Sequence, residues 1–188
     1  MDRGEILEAM KQGAEKVQAV VATRPDLEAA IQYAVSLTKK EGGSTLAAPG
    51  MDEESTQAIR AACAEEGIAF LEPLLREEMG RIDTALTWAD RGIAETGTLV
   101  LNSDSEELRM ATMLSETHVA VLPEDQVVPD MDALERYMSD HFKKGPGYVA
   151  FITGASRTAD IERILTIGVH GPESLHIVLV ERPKGGEK

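Results

Sequence analysis

Three glycine-containing turns carry the residues of this chain that are best suited to chemistry. Residues 94–98 read Ala-Glu-Thr-Gly-Thr, residues 153–160 read Thr-Gly-Ala-Ser-Arg-Thr-Ala-Asp, and residues 168–172 read Gly-Val-His-Gly-Pro. Together they offer carboxylates, a guanidinium, an imidazole and several hydroxyls. Loops that connect the strands and helices of an open α/β sheet meet at its edges, so turns that are far apart in sequence can form one pocket. The pattern predicts a pocket that accepts an anion.

The first turn places one carboxylate between hydroxyls. Glu95 can act as a base, as a nucleophile toward an acyl group, or as the acceptor for a substrate hydroxyl. Gly97 lacks a Cβ atom and therefore lets the backbone approach a ligand. The structural alternative is a turn in which Glu95 only accepts hydrogen bonds from nearby amides. We predict Glu95 as a catalytic residue and Thr96, Gly97 and Thr98 as substrate-binding residues.

The second turn follows an apolar run over residues 148–152 and precedes a predicted helix over residues 157–165. The free amides of a helix N-terminus, the hydroxyls and the Arg157 guanidinium together suit a carboxylate or a phosphate. In the structural alternative, a hydroxyl caps the helix and Arg157 pairs with a surface carboxylate. The predicted substrate-binding residues of this turn are Thr153, Gly154, Ser156, Arg157 and Thr158.

The third turn holds a histidine between glycines. His170 can donate to a carboxylate or exchange a proton near neutral pH, so we predict it as the second catalytic residue and Gly171 as a substrate-binding residue. The alternative is a histidine that only makes local hydrogen bonds. His118, His141 and His176 have no partner at metal-ligand spacing and are interpreted as structural or exposed, so no metal site is predicted.

Composition limits the class of protein. The 188 residues, of which 43% are hydrophobic and 28% charged, predict an ordinary globular domain. A formal charge of -14 disfavours nucleic acid and anionic membranes as partners. The sequence has no apolar run of membrane-spanning or signal-peptide length, which predicts a cytoplasmic protein without membrane insertion. The single cysteine, Cys63, cannot form an intrachain disulfide or hold an iron–sulfur cluster alone.

The elements that must position the turns alternate along the chain. Two amphipathic runs separated at Pro25 predict an N-terminal helical arm over residues 1–40, followed by an α/β domain over residues 41–188. Strands that are apolar throughout predict a largely parallel sheet covered on both faces. The predicted strands are 45–49, 68–71, 84–88, 98–101, 119–122, 148–153 and 175–180. Helices are predicted from near residue 52 and over 105–114, 131–142 and 157–165.

Residues 93–101, 153–162 and 168–172, in this order and spacing, resemble the LUD-domain family of lactate-utilisation proteins. The matching motifs span roughly the last hundred residues. The short chain without cysteine motifs is most similar to the C subunit of this family. The resemblance implies a three-layer, Rossmann-like fold similar to that of sugar-phosphate isomerases and CoA transferases.

The resemblance also implies a three-component system that oxidises L-lactate to pyruvate, with iron–sulfur clusters in partner subunits and no cofactor bound by this chain alone. On this hypothesis the chain binds a 2-hydroxy acid, whose carboxylate pairs with Arg157 and whose hydroxyl reaches Glu95 or His170. A second hypothesis, by analogy of fold, is a stand-alone enzyme that acts on a CoA thioester or sugar phosphate with Glu95 as nucleophile or base. A third is that the turns only hold subunits together.

Overall fold

The computed structural model describes residues 1–72, 75–78, 80–143, 145–158, 166–168 and 170–181. Its largest feature is a parallel sheet of six strands. In chain order these are β1 Val20–Arg24, β2 Thr45–Ala47, β3 Ala69–Leu71, β4 Thr84–Trp88, β7 Thr117–Pro123 and β12 Ser174–Val180. Across the sheet the order is β1, β12, β7, β4, β2, β3. The structure confirms the predicted α/β class with a largely parallel sheet.

The central strands are buried on both faces, as their continuous apolar runs predict. In β7, Val119 and Val121 face one hydrophobic core, whereas Ala120 and Leu122 face the other. Helices α2 Leu27–Lys40 and α3 Glu53–Glu66 cover the first face. Asp26 and Asp52 cap these two helices by accepting hydrogen bonds from backbone amides of the first turn.

The second face is covered by helix α1 Arg3–Lys16, helix α4 Glu106–Leu114 and a smaller sheet. The smaller sheet has four strands in the order β8 Val127–Val128, β5 Arg91–Ile93, β6 Thr98–Asn102, β9 Val149–Ile152. Residues of α1 and β6, among them Met10 and Leu99, are fully buried in the core between the two sheets. The chain therefore forms three layers.

The smaller sheet takes two of the predicted strands, 98–101 and 148–153, out of the large parallel sheet. Strand β6 runs antiparallel to both β5 and β9. Residues 94–97 are a four-residue turn between β5 and β6, and a connection this short can join only antiparallel strands. The sequence pattern identified β6 and β9 as strands but did not show that they pair with each other.

Residues 1–40 contain the two predicted helices, α1 and α2, and a strand between them that was not predicted. Strand β1 lies at the edge of the large sheet and pairs with β12 in register from Val20 with His176 to Arg24 with Val180. The segment is therefore not helical throughout. None of the five residues of β1 is buried. The strand also lacks the continuous apolar run that marked the central strands in the sequence.

The predicted helix from Arg157 is wrong at its beginning. Residues Arg157–Thr158 form strand β10, which pairs antiparallel with β11 Thr166–Ile167, and residues 159–165 lie outside the described residues. Backbone pairing of Arg157 with Ile167 replaces the free helix amides that were expected to receive an anion. The predicted helix over 131–142 is a 3-10 turn, Asp132–Leu134, followed by helix α5 Glu135–Phe142. Across the described ranges, no helix combines the length and apolarity needed to cross a membrane.

Candidate functional site

The first two turns are joined by a chain of hydroxyl groups. The Thr98 Oγ1 atom lies 2.7 Å from Thr96 Oγ1 and 2.8 Å from Thr153 Oγ1. Thr98 starts strand β6 and Thr153 directly follows β9, its antiparallel neighbour, so the pairing of these strands brings the two hydroxyls together. These three predicted substrate-binding residues therefore lie side by side.

The second and third turns are joined through their backbones. The Ser156 amide donates to the Pro172 carbonyl at 2.9 Å, and the Gly168 amide donates to the Ser156 carbonyl at 3.0 Å. Gly171 also lies against Ser156, since a Cβ atom built on Gly171 would be 3.2 Å from the Ser156 Cβ atom. We call the continuous surface formed by residues 94–98, 153–158 and 170–172 the three-turn surface.

The ionisable residues of the three-turn surface are all open to solvent. The side chains of Glu95, Arg157 and His170 are exposed, whereas Thr98 is buried. The Glu95 amide donates to the Pro129 carbonyl at 3.0 Å, which fixes the backbone of the first turn. Exposed side chains on a fixed backbone can reach a ligand at the surface without a deep cavity.

Two glycines of the three-turn surface contact helix α1 and the residue that ends it. Gly97 has φ of 64°, and a Cβ atom there would lie 2.1 Å from the Ala14 amide nitrogen. Gly154 has φ of 74°, and a Cβ atom there would lie 2.1 Å from the Val17 carbonyl oxygen. We expected the missing side chain of Gly97 to let the backbone approach a ligand. In the structure it makes room for the backbone of α1.

The three-turn surface lies beside the amino ends of β1 and β12. The third turn directly precedes β12, and the end of α1, which contacts the first two turns, directly precedes β1. Ligands of open parallel sheets usually bind at the carboxyl ends of the strands. The carboxyl edge of the sheet is therefore a second place where a ligand site is expected.

A cavity of about 370 Å³ lies beyond the carboxyl end of β4, between the smaller sheet and helix α5. We call it the α5 cavity. It is lined by Asp90, Arg91, Asn102, Ala133, Arg136, Tyr137, Asp140 and His141. Sequence reasoning missed it because its residues come from β5, β6, α5 and the segments beside them, and the pairing of β5 with β6 was not predicted. The one local signal was the helical spacing of Tyr137 and His141.

The aromatic rings of α5 and one guanidinium form one wall of the α5 cavity. The Tyr137 and His141 ring centroids are 6.2 Å apart with an angle of 25° between the planes. The Arg91 guanidinium carbon lies 4.8 Å from the centre of the Tyr137 ring. Burial, assisted by the Asp90 charge and opposed by the Arg91 charge, raises the pKa of Tyr137 to about 12. The phenol therefore stays protonated at neutral pH.

The two histidines of the large sheet are structural. His118 is 1% exposed, and its Nε2 atom lies 2.8 Å from Thr87 Oγ1. His176 Nδ1 lies 2.7 Å from the Tyr33 hydroxyl. Burial lowers the pKa of both imidazoles, that of His118 to about 4. Within the part of the chain that the structure describes, no three His, Cys, Asp or Glu residues are grouped closely enough to hold a metal ion.

Residues 7–180 match the family model of the LUD domain. This chain belongs to the LUD-domain family. The match confirms the resemblance found in the three turns and extends it over residues 7–16 of helix α1 and over strand β1. The matched region therefore includes most of α1, which contacts the three-turn surface, and β12, which completes the large sheet.

Several LUD-domain relatives are named lactate utilization protein C. The protein of Geobacillus sp. (strain WCH70) is 32% identical over 196 residues, covering 95% of this chain and 79% of that protein. The protein of Anoxybacillus flavithermus is 37% identical over 107 residues, covering 56% of this chain and 48% of that protein. The match thus covers about half the length of some curated relatives.

A solved structure shares the fold. It is a crystal structure of a DUF162 family protein from Deinococcus radiodurans, with a TM-score of 0.64 and 23% sequence identity. The alignment covers 96% of this chain and 99% of the other. At this level of identity the likeness supports the architecture and says nothing about ligands.

Proposed function

We propose that this chain is the component without iron–sulfur clusters in a system that oxidises L-lactate to pyruvate. The main support is the LUD-domain match over residues 7–180, together with the relatives that are named lactate utilization protein C. Cys63 is the only cysteine, and it is 1% exposed inside the core between α2, α3 and the sheet. One buried thiol cannot hold an iron–sulfur cluster, so clusters belong to partner subunits in this proposal.

The proposed role of the chain is to bind a small carboxylate at the three-turn surface. The hydrogen bonds that join the three turns support this, because they place the Arg157 turn beside the hydroxyls and beside the turn of His170. The chain carries a net charge of -14, so a small anion needs a local guanidinium to bind. Arg157 can pair with a carboxylate through two parallel hydrogen bonds.

The oxidation of L-lactate removes two electrons and two protons, one proton and the electrons from the carbon that carries the hydroxyl and one proton from the hydroxyl itself. In the proposed complex, one of Glu95 and His170 accepts the hydroxyl proton, the other accepts the proton from the carbon, and the two electrons pass to the iron–sulfur subunits. Both side chains are exposed, so each can reach a hydroxyl of a bound hydroxy acid. The Thr96, Thr98 and Thr153 hydroxyls hold the first and second turns in register for this contact.

The role in the system is tested by purification of the tagged chain from its native host. We expect iron-containing partners to copurify and L-lactate to reduce an artificial electron acceptor. The reaction should be lost when the partners are purified without this chain and restored when it is added. Equal acceptor reduction without the chain would refute the role. Turnover of a CoA thioester or sugar phosphate by the isolated chain would support the stand-alone enzyme instead.

Ligand binding is tested by thermal unfolding of the isolated chain with and without L-lactate. A ligand that binds only the native state raises the unfolding temperature, so we expect L-lactate to stabilise the wild type. Arg157→Ala should lose this stabilisation. Arg60→Ala is the matched control, because Arg60 is an exposed arginine that pairs with Glu72. Equal stabilisation of Arg157→Ala and the wild type would refute the role of Arg157.

A further inference from the structure

We propose that the α5 cavity is a second ligand site, which binds a small anion that also carries hydroxyl groups. The ligand class is a hydroxy-carboxylate or a hydroxy-phosphate. Strand β6 begins at Thr98 in the three-turn surface and ends at Asn102 in the α5 cavity. Four steps along a strand place the two regions about 13 Å apart, so the site is separate from the proposed lactate surface.

Two buried polar atoms of the α5 cavity need a partner. The Tyr137 Oη and His141 Nε2 atoms are shielded from solvent, and neither has a hydrogen-bond partner among the described residues. Buried side-chain polar atoms in folded proteins nearly always have one. Both residues lie on α5 one turn apart, and both line the cavity. A ligand hydroxyl, which donates and accepts at once, suits a phenol and an imidazole.

The His141 ring packs closely against Gly147. A Cβ atom on Gly147 would lie 2.7 Å from His141 Nε2 and 2.9 Å from Asp104 Oδ1. The Asp104 Oδ1 atom is already bonded, because it accepts from the Tyr148 amide at 2.6 Å. A side chain at position 147 would therefore displace the His141 ring, which lines the α5 cavity.

The charges of the α5 cavity favour an anion that is also hydroxylated. Arg91 is partly buried, and the exposed Arg136 at the rim lies 3.8 Å from the Asp140 carboxylate. A ligand carboxylate or phosphate would bind Arg91 and share Arg136 with Asp140. Asp90 and Asp140 line the same cavity and would repel an anion that offers them no donor. The backbone amide of Asn102 donates to Asp90 Oδ2 at 2.6 Å, which fixes the orientation of this carboxylate. The carboxylate can then accept hydrogen bonds from ligand hydroxyls.

The experiment measures binding of D-glycerate and glycerol 3-phosphate to the full chain by titration calorimetry. Glycerol lacks the anionic group and propionate lacks the hydroxyl, so each is a control ligand. We expect one of the two probes to bind and both controls to bind at least about tenfold more weakly. Tighter binding of D-glycerate would assign a carboxylate ligand, and tighter binding of glycerol 3-phosphate would assign a phosphate ligand. Absence of binding by both probes would overturn the proposal.

Two variants locate the probe in the α5 cavity. Tyr137→Phe keeps the ring and removes the hydroxyl, and it should weaken binding about tenfold. Gly147→Ala should displace the His141 ring from its place in the cavity wall and weaken binding further. Tyr148→Phe is the matched control, since Tyr148 is 67% exposed and outside the cavity lining. Circular dichroism confirms that each variant is folded. Probe binding by folded Tyr137→Phe and Gly147→Ala at the wild-type affinity would overturn the proposal.

The same titrations separate this site from the lactate surface. D-Glycerate is a 2-hydroxy acid like lactate and can bind both surfaces, so Arg157→Ala should retain one of its two sites. Glycerol 3-phosphate should bind Arg157→Ala with the wild-type affinity, because Arg157 belongs to the three-turn surface. Loss of lactate stabilisation in Arg157→Ala with retained probe binding supports both sites. Loss of probe binding in Arg157→Ala would overturn the second site and leave the proposed function intact.

Discussion

The Thr98 hydroxyl lies 2.8 Å from the Thr153 hydroxyl, and this contact joins two turns that are 55 positions apart in sequence. Thr98 also reaches Thr96 at 2.7 Å, so its single hydroxyl sits at the centre of a three-residue chain. Because Thr98 is 5% exposed, water cannot readily replace a lost partner. The side-chain contact between the first and second turns therefore depends on one buried hydroxyl.

Thr98→Val removes that hydroxyl with little change in shape. We expect the free energy of unfolding to fall by about 1 kcal/mol, since two hydrogen bonds are lost but Thr96 and Thr153 are exposed and can bond to water instead. Urea denaturation measures the change. Thr23→Val is the control, because Thr23 is exposed in the edge strand β1. A loss no larger than that of the control would show that the hydroxyl chain does not stabilise the fold.

Gly97→Ala should be far more damaging than an alanine at another glycine with positive φ. Its new Cβ atom would lie 2.1 Å from the Ala14 amide nitrogen, and backbone cannot move aside as a flexible side chain can. Gly50 has φ of 80°, and a Cβ atom added there would meet nothing within 4 Å, so Gly50→Ala isolates the cost of the backbone conformation. We expect the free energy of unfolding to fall by about 1 kcal/mol for Gly50→Ala and by at least about 3 kcal/mol for Gly97→Ala.

Thermal unfolding of the two variants makes the comparison, with circular dichroism as the readout of folding. Failure of Gly97→Ala to fold would agree with the expected result. Similar unfolding temperatures for the two variants would contradict the close contact between the first turn and α1.

Stability should fall as the pH is lowered from 6.5 to 4 because of His118. Burial lowers the pKa of this imidazole from 6.5 to about 4, so the unfolded chain takes up a proton at a higher pH than the folded protein does. The contribution of neutral His118 to the free energy of unfolding is fully present above pH 6.5. It is lost as the pH falls toward the folded-state pKa of about 4. A pKa difference of this size corresponds to a loss of about 3 kcal/mol in the free energy of unfolding.

Urea denaturation of the wild type and of His118→Gln across this pH range measures the effect. The variant should be less stable at pH 7 because it disturbs the contact with Thr87, yet its stability should fall less steeply in acid. His176 acts in the same direction, because burial lowers its pKa as well. Parallel pH profiles for the wild type and the variant would contradict the assignment to His118.

Cys63 should not react with thiol reagents in the native protein. Its side chain is 1% exposed, and burial raises the pKa of the thiol to about 11, so little thiolate forms at neutral pH. We expect labelling by a disulfide reagent to follow unfolding when urea is added. Fast labelling without denaturant would contradict the burial of α3 against the sheet.

The strands of the large sheet were predictable because burial on both faces leaves a local signature. Strand β4 begins and ends at the predicted residues, and β7 extends the predicted run by two residues at its start and one at its end. Strand β1 carries no such signature, because an edge strand is partly open to solvent. Its assignment depends on pairing with β12, which is distant in sequence.

The candidate sites were predictable to a smaller degree. The glycines and hydroxyls of the three turns marked loops, and their spacing pointed to the LUD-domain family. The role of Gly97 could not be read locally, because the atom it accommodates belongs to Ala14 in a distant helix. The α5 cavity could not be predicted locally for the same reason. Arg91 and Tyr137 are in contact because the hairpin of β5 and β6 places β5 opposite α5.

The position of β12 between β1 and β7 has a consequence for synthesis on the ribosome. Val20 is made 156 residues before its partner His176. The first strand must therefore wait, with its backbone groups unpaired, until almost all of the domain has emerged. Pairing of distant segments slows folding, so we expect nascent chains that stop before residue 174 to be recognised by chaperones and cut by proteases.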